Sequence, residues 1–554
     1  MMHELATHIQ EAVRHEFEFE TDVVLTRPEP QYGDFATNIA LKVAGQVGKK
    51  PRDVAEKLAA SLRELDEVLE VSVAGPGFIN VRLQDQALLK LWSLEAPQTY
   101  RHQIVVTEYS DPNPFKVLHA GHLYTSIMGD AISNLVATAG GDVHRVNFGG
   151  DVGLHVGKTM WAILETLGGE YPEKLNEIAE LERANWLRDR YVEGTAAYED
   201  NLDAKPEIIA LNKEVYKIHS DNDYESALAQ IYWTTRKWSY DYFDEFYARI
   251  GVEFEKYYPE SEVSDRGLKE VRAQIGEVFS ESNGAVVFAG EAFGLHTRVF
   301  INGEGLPTYE TKDVGLLFTK YDEYKFDRSI VITASEQEQY MQVVLKAIEQ
   351  FAPELAGSSI HLTHGVVKMA GGVKMSSRKG NILRAVDVLD VARDANKLAN
   401  GSDDERVSLG AVKYAFLRSR MGGDIVYDPN ESVSLHGNSG PYLQYAHARA
   451  VSILSKSQAT PAPHDDVHFD QNERALLVKL SEYQEVVARA VSELMPHHVC
   501  TYLYELAQSF NRFYESSRII DDPRESTRLI LVERYAKTLQ TGLALLNIAA
   551  PDQL

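Results

Sequence analysis

Two short stretches of this chain concentrate groups that bind phosphate. The first is His119-Ala120-Gly121-His122, two imidazoles flanking a small pair. The second, roughly 250 residues later, is Lys374-Met375-Ser376-Ser377-Arg378-Lys379-Gly380-Asn381. Imidazoles can donate hydrogen bonds to phosphate oxygens. Three cations set among hydroxyls and a glycine can clamp a polyphosphate leaving group through charge-assisted hydrogen bonds. Neither stretch is specific alone. A lone His-x-Gly-His recurs by chance in large sequence collections, and the basic loop by itself reads as a solvated turn.

The elements that must position these residues are legible around them. Ile104-Val105-Val106 is an apolar run short enough to be a buried strand, and Glu108 to Pro114 is a loop rich in turn formers. Leu123, Ile127, Ala131 and Leu135 then line one face of a helix, which Gly140-Gly141 ends before a second strand, Val143 to Phe148. The histidines thus fall where a strand hands over to a helix. In a parallel sheet that corner collects ligands, and the helix start offers free N–H groups and a positive dipole end. After the second strand, Gly149-Gly150-Asp151 would let backbone approach a ligand, with Asp151 holding a hydroxyl; a plain αβ turn is an equal alternative. Strands are also expected at 285–288, 298–301, 329–333 and 360–362, with a helix from about 336 to 351.

At 554 residues the chain is too long for one core, so about three domains are expected. Its 44% apolar and 25% charged content is that of a soluble globular protein. One cysteine, Cys500, excludes an internal disulfide and any multi-cysteine zinc site, so no structural metal is expected. No membrane span or signal peptide is evident, and a cytoplasmic location is expected. The net charge of −26 argues against a non-specific grip on polyanions.

Residues 1–100 read as a small α+β unit with helices at 3–17 and 51–62 and a strand pair within 71–81. Tyr32 to Asn38 reads there as a turn and helix N-cap. Residues 160–275 are helical and aromatic, an insertion whose tryptophans are more often core than binding surface. From about 405 onward apolar stripes such as Leu476, Leu480, Tyr483, Val487 and Val532, Tyr535, Leu539, Leu543 predict a helical bundle.

The order of the two phosphate-binding stretches, each after a strand of a nucleotide-binding half, resembles the paired signatures of class I aminoacyl-tRNA synthetases. Within that class the chain is similar to the arginyl-tRNA synthetases. The matching residues are Glu108 to His122, Gly33-Asp34-Phe35-Ala36-Thr37-Asn38, Gly75-Pro76-Gly77-Phe78-Ile79, Tyr309-Glu310-Thr311-Lys312-Asp313 with Gln337, and Gly437 to Arg449. The resemblance implies a Rossmann-like α/β catalytic domain (101–400), an N-terminal α+β domain gripping the outer corner of tRNA (1–100), and an all-α anticodon-binding bundle (401–554). It implies ATP, as its Mg2+ complex, L-arginine and tRNA(Arg) as substrates, and a monomer.

Carried over by position, the resemblance places Glu108, Tyr309 and Asp313 around the guanidinium of arginine, where a carboxylate makes a bidentate fork. Ser110, Asn113 and Gln337 hold the α-amino and carboxylate end. His119, His122 and Lys116 face the ATP phosphates, Lys374, Arg378 and Lys379 close over them, and Met375 and Ser376 complete that loop. Gly121 leaves room for adenine. Phe35, Asn38, Tyr442, Gln444, Tyr445 and Arg449 contact tRNA. Departures are Ser377 for a lysine, Tyr124 for an arginine, Lys312 for an arginine, His155 for a glutamine and Leu554 for a methionine. A neighbouring synthetase, a silent tRNA-binding paralogue and a small-molecule adenylyl transferase are the alternatives. They lack, respectively, room for an editing insertion or the cysteines for zinc, a reason to keep His119, His122 and Asp313, and a reason for the C-terminal bundle.

Overall fold

The computed structural model describes residues 2–370, 383–462 and 468–554. The first unit packs α1 (Met2–Phe17), α2 (Ile39–Val47) and α3 (Pro51–Leu62) on β1 (Phe35–Thr37), β2 (Val68–Ala74) and β3 (Phe78–Leu83), and ends in α4 (Asp85–Leu91). The three strands are antiparallel with β3 central. Where the sequence suggests only a turn and a cap, Phe35–Thr37 is a fully buried strand.

The central sheet is built around β4 (Ile104–Glu108), α5 (Ala120–Thr138) and β5 (Asp142–Gly149). Helices α6 (Leu154–Leu167), α7 (Arg183–Asp200), α8 (Ala204–Ser220) and α9 (Ala227–Ile250) form the insertion. Trp238 is buried in its own core, with Trp186 edge-on at 6.2 Å, as core aromatics should be. The chain returns through β6 (Lys256–Pro259) and α10 (Glu260–Ala273) to a small antiparallel sheet, β7 (Ser280–Ser282), β8 (Ala285–Phe288) and β9 (Arg298–Ile301). Then come α11 (Tyr309–Tyr324), β10 (Arg328–Ala334), α12 (Glu338–Glu349), α13 (Pro353–Gly357) and β11 (Ser359–His364).

The main sheet is parallel, in the order β11-β10-β4-β5-β6. In chain order its strands therefore run 5-4-1-2-3, and the order reverses between β4 and β10, so the crevice at their carboxyl ends is the expected ligand site.

Helix α5 differs from the one-faced helix its stripe suggests. It is buried nearly all round, because helical-bundle elements cover the side away from the sheet. Its small polar residues satisfy themselves on the preceding turn: Thr125, Ser126 and Ser133 donate to the carbonyls of Gly121 (2.9 Å), His122 (2.7 Å) and Gly129 (2.7 Å).

Beyond β12 (Val367–Met369), the helices are α14 (Ala385–Asn400), α15 (Glu405–Leu417), α16 (Pro429–Ser432), α17 (Gly440–Lys456), α18 (Gln471–Ser481), α19 (Tyr483–Glu493), α20 (His497–Ser516) and α21 (Glu525–Leu545). One strand, β13 (Ile425–Tyr427), interrupts the region that reads as purely helical and pairs in parallel with β12. Both predicted apolar stripes are buried, and Phe510 stacks on Tyr535 at 3.8 Å. No helix among the described residues is long and apolar enough to cross a membrane.

Candidate active site

The loop between β4 and α5 is strained. Ser110 (φ 74°), Asp111 (φ 49°) and Phe115 (φ 69°) all adopt the left-handed region without being glycine, a conformation that surrounding structure must hold in place. Several bonds do so. Phe148 N–H donates to Asp111 Oδ1 (2.9 Å), Gly150 N–H to Asn113 Oδ1 (2.8 Å), and Phe115 N–H to Ser239 Oγ (2.9 Å). Burial above all, then nearby Glu108, pushes the Asp111 carboxyl well above its usual range.

The loop delivers the two histidines as the N-cap and third residue of α5. His119 Nδ1 accepts from Gly121 N–H and His122 Nδ1 accepts from His119 N–H, each at 3.1 Å. With Nδ1 occupied as acceptor, the proton of each neutral ring sits on Nε2, which is then a donor. Burial keeps the rings neutral, aided by the charge of Lys116: His119 is pushed down to about 4 and His122 well below its usual range. Two uncharged donors, their rings tilted at 30° with centroids 3.8 Å apart, thus stand at the positive end of a helix. Gly121 leaves no room for a side chain: a Cβ there would lie 2.8 Å from the His119 ring. Lys116 sits 4.9 Å over the Tyr191 ring from the insertion.

Lys374, Met375, Ser376, Arg378 and Lys379 lie outside the described residues. Both flanks of their segment are placed, however. β12 precedes it, and Leu383 and Ala385 bond to the first signature, with Ala120 N–H to Leu383 O and Ala385 N–H to Leu118 O at 2.9 Å each.

A second set of side chains gathers at the switch point. Glu108 closes β4 and Asp313 is the fifth residue of α11; both border one small cavity under α12. The Glu108 carboxylate is buried and ion-paired with Lys320, which also donates to Ser329 Oγ at 3.1 Å. Asp313 accepts from the Tyr340 hydroxyl. Its carboxyl is pushed up to about 8, by burial first and by Glu108 and Glu260 besides. Lys312, in the position where arginine is usual, forms a buried pair with Glu260. Sequence reading missed Lys320 and Tyr340. The signal for Lys320 was present: Asp313, Leu316, Leu317 and Lys320 fall at i, i+3, i+4 and i+7, so the lysine ends an inward-facing stripe.

The other expected residues disperse. Ser110 is buried, bonded to Tyr247 OH (2.7 Å) and Ser126 Oγ (2.9 Å). Tyr309 and Gln337 are exposed at the rim. Asp151 holds no free hydroxyl site: its carboxylate takes Ser261 N–H (2.9 Å), Ser261 Oγ (2.7 Å) and Arg236 Nε (3.0 Å). Gly149 and Gly150 give room to the first loop instead of a ligand, since Cβ atoms would stand 2.3 Å from Pro112 O and 2.6 Å from Asn113 Oδ1.

Two residues expected at tRNA are corrected. Phe35 is 0% exposed inside the N-terminal unit, beneath the Arg27 guanidinium at 4.3 Å, and cannot stack on a base. Gln444 is also 0% exposed, its amide donating to Arg406 O (3.0 Å) and Ala549 O (2.8 Å) inside the bundle. Asn38 and Tyr445 are exposed. Tyr442 is half-buried, its hydroxyl accepting from the Asn511 amide (2.7 Å). Arg449 lies over Tyr445 at 5.0 Å and Tyr514 at 5.5 Å, a cationic, aromatic surface on α17 and α20.

Comparison with known proteins matches these regions in order. Residues 3–83 fit the "Arginyl tRNA synthetase N terminal domain", residues 84–428 "tRNA synthetases class I (R), catalytic domain", and residues 443–554 the "DALR anticodon binding domain". The chain is 30% identical to an arginine–tRNA ligase of Bdellovibrio bacteriovorus, over 95% of this chain and 93% of that one. It is 27% identical to that of Porphyromonas gingivalis, over 97% and 96%. Among solved structures, Thermus thermophilus arginyl-tRNA synthetase superposes with a TM-score of 0.80 at 25% identity, covering 100% of both chains. That of Plasmodium falciparum shares the fold at a TM-score of 0.79 and 20% identity, covering 100% of this chain and 99% of that one. By its three matched regions, its parallel sheet with paired histidines at the switch point and its relatives along nearly the whole length, the chain belongs to the arginyl-tRNA synthetase family of class I aminoacyl-tRNA synthetases.

Proposed function

We propose that this enzyme joins L-arginine to tRNA(Arg) in two steps at the crevice between β4 and β10. The arginine carboxylate attacks the α-phosphorus of ATP, entering as its magnesium complex, and pyrophosphate leaves. The 2′-hydroxyl of the terminal adenosine then attacks the arginyl carbonyl and releases AMP. Both steps depend more on positioning and charge than on covalent catalysis.

The observation that carries the reading is the buried, electron-rich pocket of Glu108 and Asp313. A carboxylate held up at about 8 is short of a positive partner, and a guanidinium supplies one with a bidentate fork. Lys320 already balances Glu108, which leaves Asp313 as the principal anchor, with Tyr309 closing over the side chain at the rim. Asn113 and Gln337 take the α-amino and carboxylate end, and Ser110 supports them from below. His119 and His122, neutral donors on Nε2, take phosphate oxygens and gain strength as charge builds on them. Lys116, Lys374, Arg378 and Lys379 compensate the leaving pyrophosphate, and Lys116 is the cation already beside the histidines. The N-terminal unit holds the tRNA corner near Asn38, and α17 meets the anticodon arm with Tyr442, Tyr445 and Arg449. The enzyme acts as a cytoplasmic monomer, with domains at 1–100, 101–400 and 401–554.

ATP–pyrophosphate exchange with each of the twenty amino acids, with and without tRNA, tests this assignment. Exchange with arginine alone is expected; exchange with another amino acid, or with none while tRNA still binds, would remove the reading.

A further inference from the structure

The motif Gly33-Asp34-Phe35-Ala36-Thr37-Asn38 is turned mostly inward, and its acid and aromatic residues face the C-terminal bundle. Asp34 is buried and its Oδ2 accepts both Leu83 N–H and Arg474 Nη2 at 2.7 Å. Arg474, in the first turn of α18, spreads its fork further, to Leu83 O at 3.0 Å and to the Asp85 carboxylate at the start of α4. Asp85 in turn accepts Phe469 N–H at 2.9 Å.

A second arginine points the other way across the same seam. Arg27 stacks on Phe35 and bonds Glu485 (2.6 Å), Ser481 Oγ (3.1 Å) and Ser481 O (3.3 Å) at the junction of α18 and α19. The strand before it is tied in, since Thr26 and Ala36 bridge each other through both backbone groups. Helix α18 is itself fixed to α21: the fully buried Glu473 carboxylate holds Arg528 Nε (2.7 Å) and Arg524 Nη2 (2.6 Å). Two further bonds join α4 and its exit to α21, from Arg534 to Leu89 O (2.9 Å) and from Trp92 to Thr538 Oγ1 (3.0 Å).

We propose that Arg474, with Asp34 and Asp85, and Arg27, with Phe35 and Glu485, form a latch that fixes the N-terminal unit on the bundle, so that the two tRNA-facing surfaces sit at one set separation. This rests on the reading that both surfaces grip one tRNA. These are positioning residues; none touches a reacting atom. An arginine that reaches two acceptors at once, as Arg474 does on Asp34 and Asp85 and Arg27 on the two oxygens of Glu485, holds an angle as well as a distance, which single ammonium contacts do not. A rigid two-point gauge lowers the ordering cost of binding a long ligand, because the enzyme need not fix its own hinge when tRNA arrives.

The test uses the full chain with Arg474→Met, Arg474→Lys and Asp85→Asn. Spin labels on α3 and α20 report the separation of the two units, and steady-state arginylation gives kcat and KM for tRNA. For Arg474→Met, a broadened distance distribution and a tRNA KM raised at least tenfold are expected, with kcat at saturating tRNA and the arginine KM held. Arg474→Lys should recover only part of the effect, because it keeps charge and loses the fork. Asp85→Asn, which removes one partner of several, should give a smaller shift in the same direction and serves where Arg474→Met fails to fold. A distribution as narrow as wild type, or a lowered kcat and thermal stability with tRNA KM unchanged, would overturn the latch and leave these residues merely structural. Wild-type enzyme that fails to arginylate tRNA would instead overturn the functional reading, and the label distances would still decide the latch.

Discussion

Asp313 offers the sharpest test of how arginine is chosen, because its charge can be titrated. Burial, then Glu108 and Glu260, hold its carboxyl at about 8, against the opposing Tyr340 hydroxyl and Lys320. At pH 7 the site is therefore mostly protonated, and a guanidinium must displace that proton to gain its partner. Each unit below the pKa costs about 1.4 kcal/mol, a tenfold change. The arginine KM should fall about tenfold from pH 6 to pH 7 and flatten above about 8. Asp313→Asn should abolish that dependence and weaken arginine recognition by two or more orders of magnitude, on the order of 3–5 kcal/mol for an unpaired guanidinium. Stability moves the opposite way. The folded pKa lies above the ordinary aspartate value, so the native state binds the extra proton and loses stability as pH rises from about 4 to 8. At pH 7 the cost is at most about 4–5 kcal/mol. The Asp313→Asn variant should thus unfold at a higher temperature than wild type at pH 7 to 8, with no advantage near pH 4. Pyrophosphate exchange across pH 6 to 9, with thermal unfolding in the same buffers, measures both. An arginine KM flat over that range, or an Asp313→Asn variant that charges tRNA normally, would refute the reasoning.

Other substitutions probe the remaining parts. Gly121→Ala places a Cβ 2.8 Å from the His119 ring and should lower the exchange rate by about tenfold or more with unfolding temperature unchanged; an unaltered rate would mean the ring's position is immaterial. Lys320→Met leaves Glu108 buried without its cation and should destabilise by about 3–5 kcal/mol, read by denaturant unfolding. Phe35→Ala should cost about 3–5 kcal/mol of stability, as loss of a fully buried ring does; a base-stacking residue would leave the unfolding temperature in place. Arg449→Ala, at an exposed cationic and aromatic surface, should raise the tRNA KM with the arginine KM unchanged, and a normal tRNA KM would remove α17 from the interface.

What the sequence disclosed follows from how far each signal reaches along the chain. The strand, turn and helix around His119 and His122 are set by apolar spacing and by glycine, both local, so the corner could be read directly. That α5 is buried nearly all round could not, because the elements covering it come from hundreds of residues further on, and its serines and threonines look like a solvated face until their back-bonds to the preceding turn are seen. Asp313 and Lys320 share one helix stripe, yet which of them is left without an opposite charge depends on Glu108 from strand β4, which takes the lysine. The same limit separates Phe35 from Asn38. Both stand in one motif, but Phe35 opens the buried strand β1 while Asn38 lies beyond its end, at the N-cap of α2, and only the position of Arg27 and the bundle tells what covers the ring. A motif therefore marks residues that must be kept without saying whether they meet the ligand or the rest of the protein. In this chain Asp34 and Phe35 meet the protein: the acid takes Arg474 and the ring lies beneath Arg27.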